Sequence, residues 1–173
     1  MFFSGSKSKL GVDIGTSSIK VAQLKKKEGE AFILETYGIV KVDYPGNPKP
    51  NFDIIAETAS ILKKLLIEAK TTAKKVIASL PNNVVFVSMI ELPQMTGKEL
   101  KSAVEWEARR YVPLPLKEVT LSWSVVETEA AKGQMKILLT AVPTRVIDNY
   151  LKMFKLANLE PLALEIEALA LIR

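Results

Sequence analysis

The chain has 173 residues, 48% hydrophobic and 25% charged, with 24 Lys and Arg against 19 Asp and Glu for a formal net charge of +5. That length suits one domain, or one domain carrying a compact insert, and is long enough to bury a substantial core. The absence of Cys and His excludes Ser-His-Asp triads, thiol nucleophiles, imidazole acid–base chemistry, zinc fingers and disulfide frameworks. Any chemistry falls to carboxylates, hydroxyls, Lys, Arg, backbone N–H groups or a bound hard cation.

At the N-terminus Phe2 and Phe3 precede Lys7 and Lys9, the reverse of a signal peptide, which starts basic and continues apolar. A disordered arm is expected there. No segment approaches the roughly 20 apolar residues that span a bilayer. Residues 76–90 are broken by Pro81, Asn82 and Asn83, and residues 162–172 carry Glu165 and Glu167. The expectation is a soluble, cytoplasmic protein. The basic residues are 20 Lys against 4 Arg, in short clusters such as Lys25 to Lys27, Lys63–Lys64 and Lys74–Lys75. Nucleic-acid sites favour Arg interleaved with aromatics. These lysines read as solvated surface, with no nucleic-acid partner.

Residues 10–14 and 19–24 flank a Gly-Thr-Ser-Ser turn and read as a β-hairpin. Residues 25–30 are a polar turn and residues 32–42 a third strand. Residues 43–50 form a loop with three prolines and a glycine. Residues 53–70 place Ile54, Ile55, Ile61, Leu62, Leu65, Leu66 and Ala69 at helical spacing. Residues 75–80 are a strand of the buried type. Three antiparallel strands, a helix and a fourth strand resemble one half of the ribonuclease-H/actin core.

A second module begins near Pro81. Residues 84–92 are a strand. Thr96 and Glu99 have the spacing of a capping box, and the helix after them runs to Tyr111 with Leu100, Ala103, Val104, Ala108 and Tyr111 on one face. Pro113 and Pro115 end it. Residues 121–127 and 135–142 are strands around a turn at Lys132 and Gly133. Thr144 caps a helix with Ile147, Tyr150, Leu151 and Phe154 in register. Residues 159–164 are the last strand, and residues 165–173 start an apolar helix. That helix has no polar tail or cap, and is expected to pack against further protein.

The strongest local signal is Gly11-Val12-Asp13-Ile14-Gly15-Thr16-Ser17-Ser18-Ile19-Lys20. Gly15 permits a positive φ and lets backbone N–H groups approach an anion. Thr16, Ser17 and Ser18 add hydroxyl donors beside those amides. Asp13 repels phosphate, so its sensible role is to hold Mg²⁺ through water. Lys20, if turned inward, neutralises phosphate charge. An ordinary Gly-Thr-Ser hairpin is the plain alternative.

The segment resembles the first phosphate loop of the actin/Hsp70/sugar-kinase ATPases. Within that superfamily the chain is similar to the PilM family of type IV pilus assembly proteins, relatives of FtsA. Three stretches carry the likeness: FFSGSKSKLGVDIGTSSIKVAQL, ASLPNNVVFVSMIELPQMTGKELKSAVEWEARRYVPLPLKEVTLSW and YLKMFKLANLEPLALEIEALAL. The resemblance implies an α/β actin-like fold: residues 1–80 and 159–173 as subdomain 1A, with residues 81–158 as the inserted subdomain 1C. It implies a cytoplasmic scaffold for pilus assembly and twitching motility, held peripherally at the inner membrane through its partners. One partner is the N-terminal tail of a PilN-like membrane protein, in a groove near 1A and 1C; other pilus assembly proteins are further partners. Asp13, Gly15, Thr16, Ser17, Ser18 and Lys20 become phosphate-loop positions for ATP and Mg²⁺. The second phosphate loop and the adenosine segment are not among these residues. Nucleotide is therefore expected only in the full-length protein, as a weak ATPase at most, with no activity in this chain. The family tends to have Asp where Glu165 stands, which leaves Glu165 with no assigned role.

Trp106 lies about 240° round its helix from Leu100, off the apolar stripe and near Arg109 and Arg110. Trp, Tyr and Arg are enriched in binding hot spots, so Trp106, Arg109, Arg110 and Tyr111 are the candidates for partner contact; packing of Trp106 on another part of the subdomain is the plain alternative, since large aromatics are mostly buried. Glu99, Glu105 and Glu107 read as solvated charges. The rival readings are a small-molecule kinase, for which neither a catalytic carboxylate nor a sugar pocket is found, and an FtsA-like division protein.

Overall fold

The computed structural model describes residues 8–27, 31–44, 53–129 and 133–172. The expected N-terminal arm, residues 45–50 of the Pro-rich loop and Lys132 of the expected turn lie outside them. In chain order the elements are β1 (Lys9–Ile14), β2 (Ser18–Lys26), β3 (Phe32–Lys41), α1 (Ile54–Glu68), β4 (Lys75–Leu80), β5 (Phe86–Pro93), α2 (Gly97–Tyr111), β6 (Val119–Glu129), β7 (Gln134–Pro143), α3 (Thr144–Leu156), β8 (Glu160–Ile166) and α4 (Glu167–Ile172). Short 3₁₀ turns at Asn82–Val84 and Leu116–Glu118 precede β5 and β6. The chain divides into two compact units, Met1–Pro81 with Asp148–Arg173, and Asn82–Ile147.

The first unit is built on a five-stranded sheet in the order β3-β2-β1-β4-β8. β1, β2 and β3 are antiparallel neighbours, whereas β4 lies parallel to β1 and β8 parallel to β4. Parallel neighbours need a crossover, and α1 supplies it between β3 and β4. Alternation puts Leu10, Val12, Ile19, Val21, Val76, Ala78 and Leu80 into the core. α1 adds Ala59, Leu62, Leu65 and Leu66 from one face. It starts at Asp53, whose Oδ1 accepts from the Ile55 and Ala56 amides. It ends where Lys70 turns left-handed at φ 52° and the Thr71 amide reaches back to the Leu66 carbonyl. Gly38 lies close under α1: a Cβ there would stand 2.9 Å from Leu65 Cδ1 and 3.2 Å from Ala69 Cβ, so those side chains would have to shift.

Gln23 is buried on β2 and acts as a clasp. Its Oε1 accepts from the Thr72 and Ala73 amides at 2.8 and 2.9 Å, and its Nε2 donates to Glu35 and to Thr72 Oγ1 at 2.8 and 3.0 Å. One amide side chain thus ties β2 and β3 to the loop that leads into β4.

The second unit has a three-stranded antiparallel sheet, β5-β7-β6, with α2 on one face. Ile90, Leu92, Met135, Ile137, Leu139 and Ala141 pack against Leu100, Val104 and Ala108. Thr96 is the N-cap of α2, but its side chain makes no capping hydrogen bond, so the expected capping box does not form. Gly97 follows at φ 60°, outside the right-handed geometry in which a cap hydroxyl meets the third amide.

The division falls inside α3, at Ile147, where the sequence reading carried the inserted module on to about Asn158. The reason lies in what α3 packs on. Tyr150, Met153 and Phe154 are buried, and Lys152 reaches Asp53 at the start of α1 at 3.5 Å. Thr144 is the first helical residue, and Leu151 is exposed despite its expected place in register. β8 extends through Glu165 to Ile166, so α4 begins two residues later than expected, at Glu167.

Replacing Gln23 with Ala leaves the Thr72 and Ala73 amides without their acceptor. The expected loss is about 2 kcal/mol of unfolding free energy, read from urea denaturation followed by circular dichroism. A loss below about 0.5 kcal/mol, the range of an ordinary surface change, contradicts the clasp.

Candidate functional site

The chemistry-bearing residues meet where β1 and β4 end. Register places Lys20 opposite Asp13, Asp13 opposite Ser79, and Ser79 opposite Glu165. Four strands thereby present one polar row, from β2 through β1 and β4 to β8. Ligand sites of open α/β sheets sit at the carboxyl ends of the strands, and here Asp13 and Ser79 stand near the ends of two parallel neighbours.

Within the row, Lys20 Nζ donates to Asp13 Oδ2 at 2.9 Å and Ser79 Oγ donates to Asp13 Oδ1 at 2.8 Å. Partial burial, the largest single influence, pushes the Asp13 carboxyl up. The hydrogen bonds from Lys20 and Ser79 and the Lys20 charge together outweigh it and hold the carboxyl below its ordinary value. Lys20 is shifted the opposite way, chiefly by its hydrogen bond to Asp13. Tyr150 of α3 is pushed up to about 12, first by burial and then by the charges of Asp13, Tyr44 and Glu167. It therefore stays a neutral phenol at physiological pH.

The turn between β1 and β2 differs from expectation at Gly15. Its φ is not positive, since Gly97 and Gly133 are the glycines in that region among the described residues. A Cβ here would stand 3.1 Å from the Ser18 carbonyl oxygen, a tight contact that the turn would have to relax to admit. The Gly15 amide donates to that carbonyl at 2.9 Å, so it closes the turn and is not available to an anion. The Ser17 carbonyl in turn accepts from the Val42 amide, fixing the turn to the end of β3. Thr16 and Ser17 stand exposed at the tip and Ser18 is half-buried.

This donor set fits a hydrated divalent cation and a phosphate. Asp13 is a single carboxylate reachable through water, and Lys20, Thr16, Ser17 and Ser18 supply the cation and hydroxyls that a phosphate takes. Among the described residues no three His, Cys, Asp or Glu side chains gather into a group that could hold a metal ion.

The second cluster lies on α2. Trp106 is 64% exposed and Tyr111 46%, and Arg109 and Arg110 are exposed beside them. The four candidates for partner contact are thus each exposed. Glu107 corrects the sequence reading: it is buried, and its Oε1 accepts from Arg110 Nη1 at 2.8 Å. Tyr111 also leaves the apolar face, and Val112 after it takes the buried position. A groove of about 330 Å³ runs past Tyr111 and Val112, lined by Phe86, Val87 and Ser88 of the edge strand β5. The sequence reading did not single out these β5 residues; their only signal was a strand flanked by Asn-rich turn residues.

The family of type IV pilus assembly protein PilM matches residues 11–173. The chain belongs to the PilM family. A chain of the PilM-PilN type IV pilus biogenesis complex is similar at 28% identity and a TM-score of 0.81, over 96% of this chain and 49% of that one. This chain therefore spans about half the length of that PilM-family relative. The cytoplasmic domain of EpsL, an inner membrane component of the type II secretion system of Vibrio cholerae, matches at 12% identity and a TM-score of 0.60, over 92% of this chain and 57% of that one. That likeness concerns the fold alone. The fold is α/β and actin-like. Among the described residues no helix is long and apolar enough to cross a membrane.

The pH dependence of this PilM-family site follows from Asp13. A carboxyl held low stabilises the fold while it is ionised; the gain is present above the unfolded value of about 3.9 and is lost as pH falls through the folded one. Asp13→Asn is therefore expected to be less stable than the wild type near pH 7, with the gap closing as pH falls below the ordinary carboxylate range. Urea midpoints across that range check it. A gap that persists undiminished in acid would show that ionisation of Asp13 contributes nothing.

Proposed function

We propose that this chain is the N-terminal part of an actin-like scaffold for type IV pilus assembly. In this reading the scaffold lies on the cytoplasmic face of the inner membrane and binds the N-terminal tail of a PilN-like membrane protein. The observation that carries it is the likeness to the PilM-PilN complex over nearly the whole chain, at 28% identity and a TM-score of 0.81. Identity at that level, together with family membership over residues 11–173, supports a shared partner class rather than a shared fold only.

The exposed end of α2 is the contact surface proposed here. Trp106, Arg109 and Tyr111 offer two aromatic anchors and a guanidinium. The neighbouring edge strand β5 offers unpaired backbone groups to an extended segment. Nucleotide binding is the second part of the reading. Asp13 would hold hydrated Mg²⁺, and Lys20 with the hydroxyls of Thr16, Ser17 and Ser18 would hold phosphate of ATP, once the rest of the protein supplies the remaining half of the site.

Calorimetric titration with a synthetic PilN-like N-terminal peptide tests the scaffold. Micromolar binding is expected, and Trp106→Ala is expected to weaken it about tenfold or more, the cost of removing one aromatic anchor. Binding that is untouched by Trp106→Ala moves the contact off α2; no binding to this chain or to the full-length protein rejects the partner. For the nucleotide, Mg-ATP is expected to raise the melting temperature of the full-length protein. Asp13→Ala is expected to abolish that rise, and an unchanged rise removes Asp13 from the site.

A further inference from the structure

Both oxygens of Asp13 are already engaged, Oδ2 by Lys20 at 2.9 Å and Oδ1 by Ser79 at 2.8 Å. Asp13 and Lys20 are direct register partners on β1 and β2. The sheet therefore holds their backbones in place, and the pair opens only by rotation of side chains. The Lys20 side chain is 53% exposed, which gives the ammonium room to turn.

A hydrated divalent cation reaches a carboxylate through the O–H donors of its water shell. At Asp13 Oδ2 its shell meets the Lys20 ammonium, which already donates there. Arriving alone, the cation sets two positive charges beside an ammonium that has lost its partner, and like charges at this range repel. A phosphate arriving alone meets a pair whose charges cancel, with the carboxylate part of that pair. Arriving together, the cation takes Oδ2 and the Lys20 ammonium turns to the phosphate. Every charge then keeps an opposite neighbour. Ser79 holds Oδ1 throughout, so the carboxylate does not swing during the exchange.

We propose that Lys20 is the internal stand-in for a cation at Asp13, and that this end of the sheet takes a divalent cation and a phosphate as a pair in preference to either alone. This rests on the phosphate-loop reading of the same residues. It goes further by naming the resident counter-ion and the coupling that its displacement creates.

The test uses isotope-labelled chain and NMR. Mn²⁺ alone, tripolyphosphate alone and the two together are titrated while the amide signals of residues 13–20 are followed. Mn²⁺ reports its position by broadening, and tripolyphosphate by shifts. In the wild type, the two together are expected to act on these residues at a concentration about tenfold or more below that needed by either alone. In Lys20→Met, Mn²⁺ alone is expected to broaden Asp13 and its neighbours at about a tenth of the wild-type concentration, because the competing ammonium is gone. Lys20→Arg keeps the charge and is expected to keep the coupling.

Mn²⁺ binding to the wild type as well alone as with tripolyphosphate overturns the exchange and leaves the phosphate-loop reading standing. So does Lys20→Met with unchanged Mn²⁺ affinity. Silence of residues 13–20 under every combination overturns the exchange in this chain, and silence in the same titration of the full-length protein overturns the phosphate-loop reading as well. The wild-type arm decides on its own should Lys20→Met not fold.

Discussion

Strand β1 is hydrogen-bonded on both edges, antiparallel to β2 and parallel to β4. A tight turn serves the first pairing, but a parallel partner needs the chain to travel back over the sheet first. α1 makes that journey, which is why its apolar face and its two ends are so closely specified. Asp53 starts it, the left-handed Lys70 stops it, and Gly38 lets it lie against the sheet. The Gln23 clasp then fixes the loop after α1, and with it the level at which β4 enters. Moving β4 by one residue would turn Ser79 to the other face, since side chains alternate along a strand. The polar row that crosses β2, β1, β4 and β8 is thus a product of register, and register is a product of how α1 is seated.

The site shows the same dependence at shorter range. A carboxylate at the end of a central strand would be costly to bury alone. Asp13 is only partly buried, and two donors from neighbouring strands satisfy it. Because those donors are placed by backbone pairing, the carboxylate is held in one orientation without any ligand. The turn beside it is closed by its own Gly15 amide, with Thr16 and Ser17 exposed at its tip.

Much of this was legible in the sequence, and the failures have physical causes. Alternation and period gave every strand and helix, because the buried faces of this chain are made of aliphatic residues with few exceptions. The exceptions are where the reading erred. Glu107 occupies the middle of the α2 stripe, about 20° from Leu100, so periodicity placed it inward while its charge argued outward. Burial prevails there because Arg110 one turn on supplies the counter-ion, a pairing that only a folded helix displays. Tyr111 has the right angle to be buried, but it is the last residue of α2, where the stripe runs out. Gly15 was read through its conformational freedom, whereas its tightest constraint is a carbonyl 3.1 Å from where a Cβ would stand, which no local pattern announces. The row from Lys20 to Glu165 is assembled from four separate strands. Only Asp13 and Lys20 are near enough in sequence to suggest one another, and Ser79 had no motif to mark it.

The insertion of a whole second unit between β4 and α3 has a consequence for how the chain folds. β4 and β8 are parallel neighbours, yet Lys75 pairs with Glu160 across the entire inserted unit. Such non-local pairings fold slowly when the intervening chain is loose, because closing the loop costs entropy before any contact repays it. The inserted unit is stitched by local pairings, β5 with β7 and β6 with β7, and has a hydrophobic cluster drawn from within residues 82–147. Once it has condensed, less of the intervening chain is left loose, and closing β8 onto β4 costs less entropy. The β4–β8 pairing is thereby the most non-local of the five-stranded sheet, and its loop-closure cost falls once the insert has condensed.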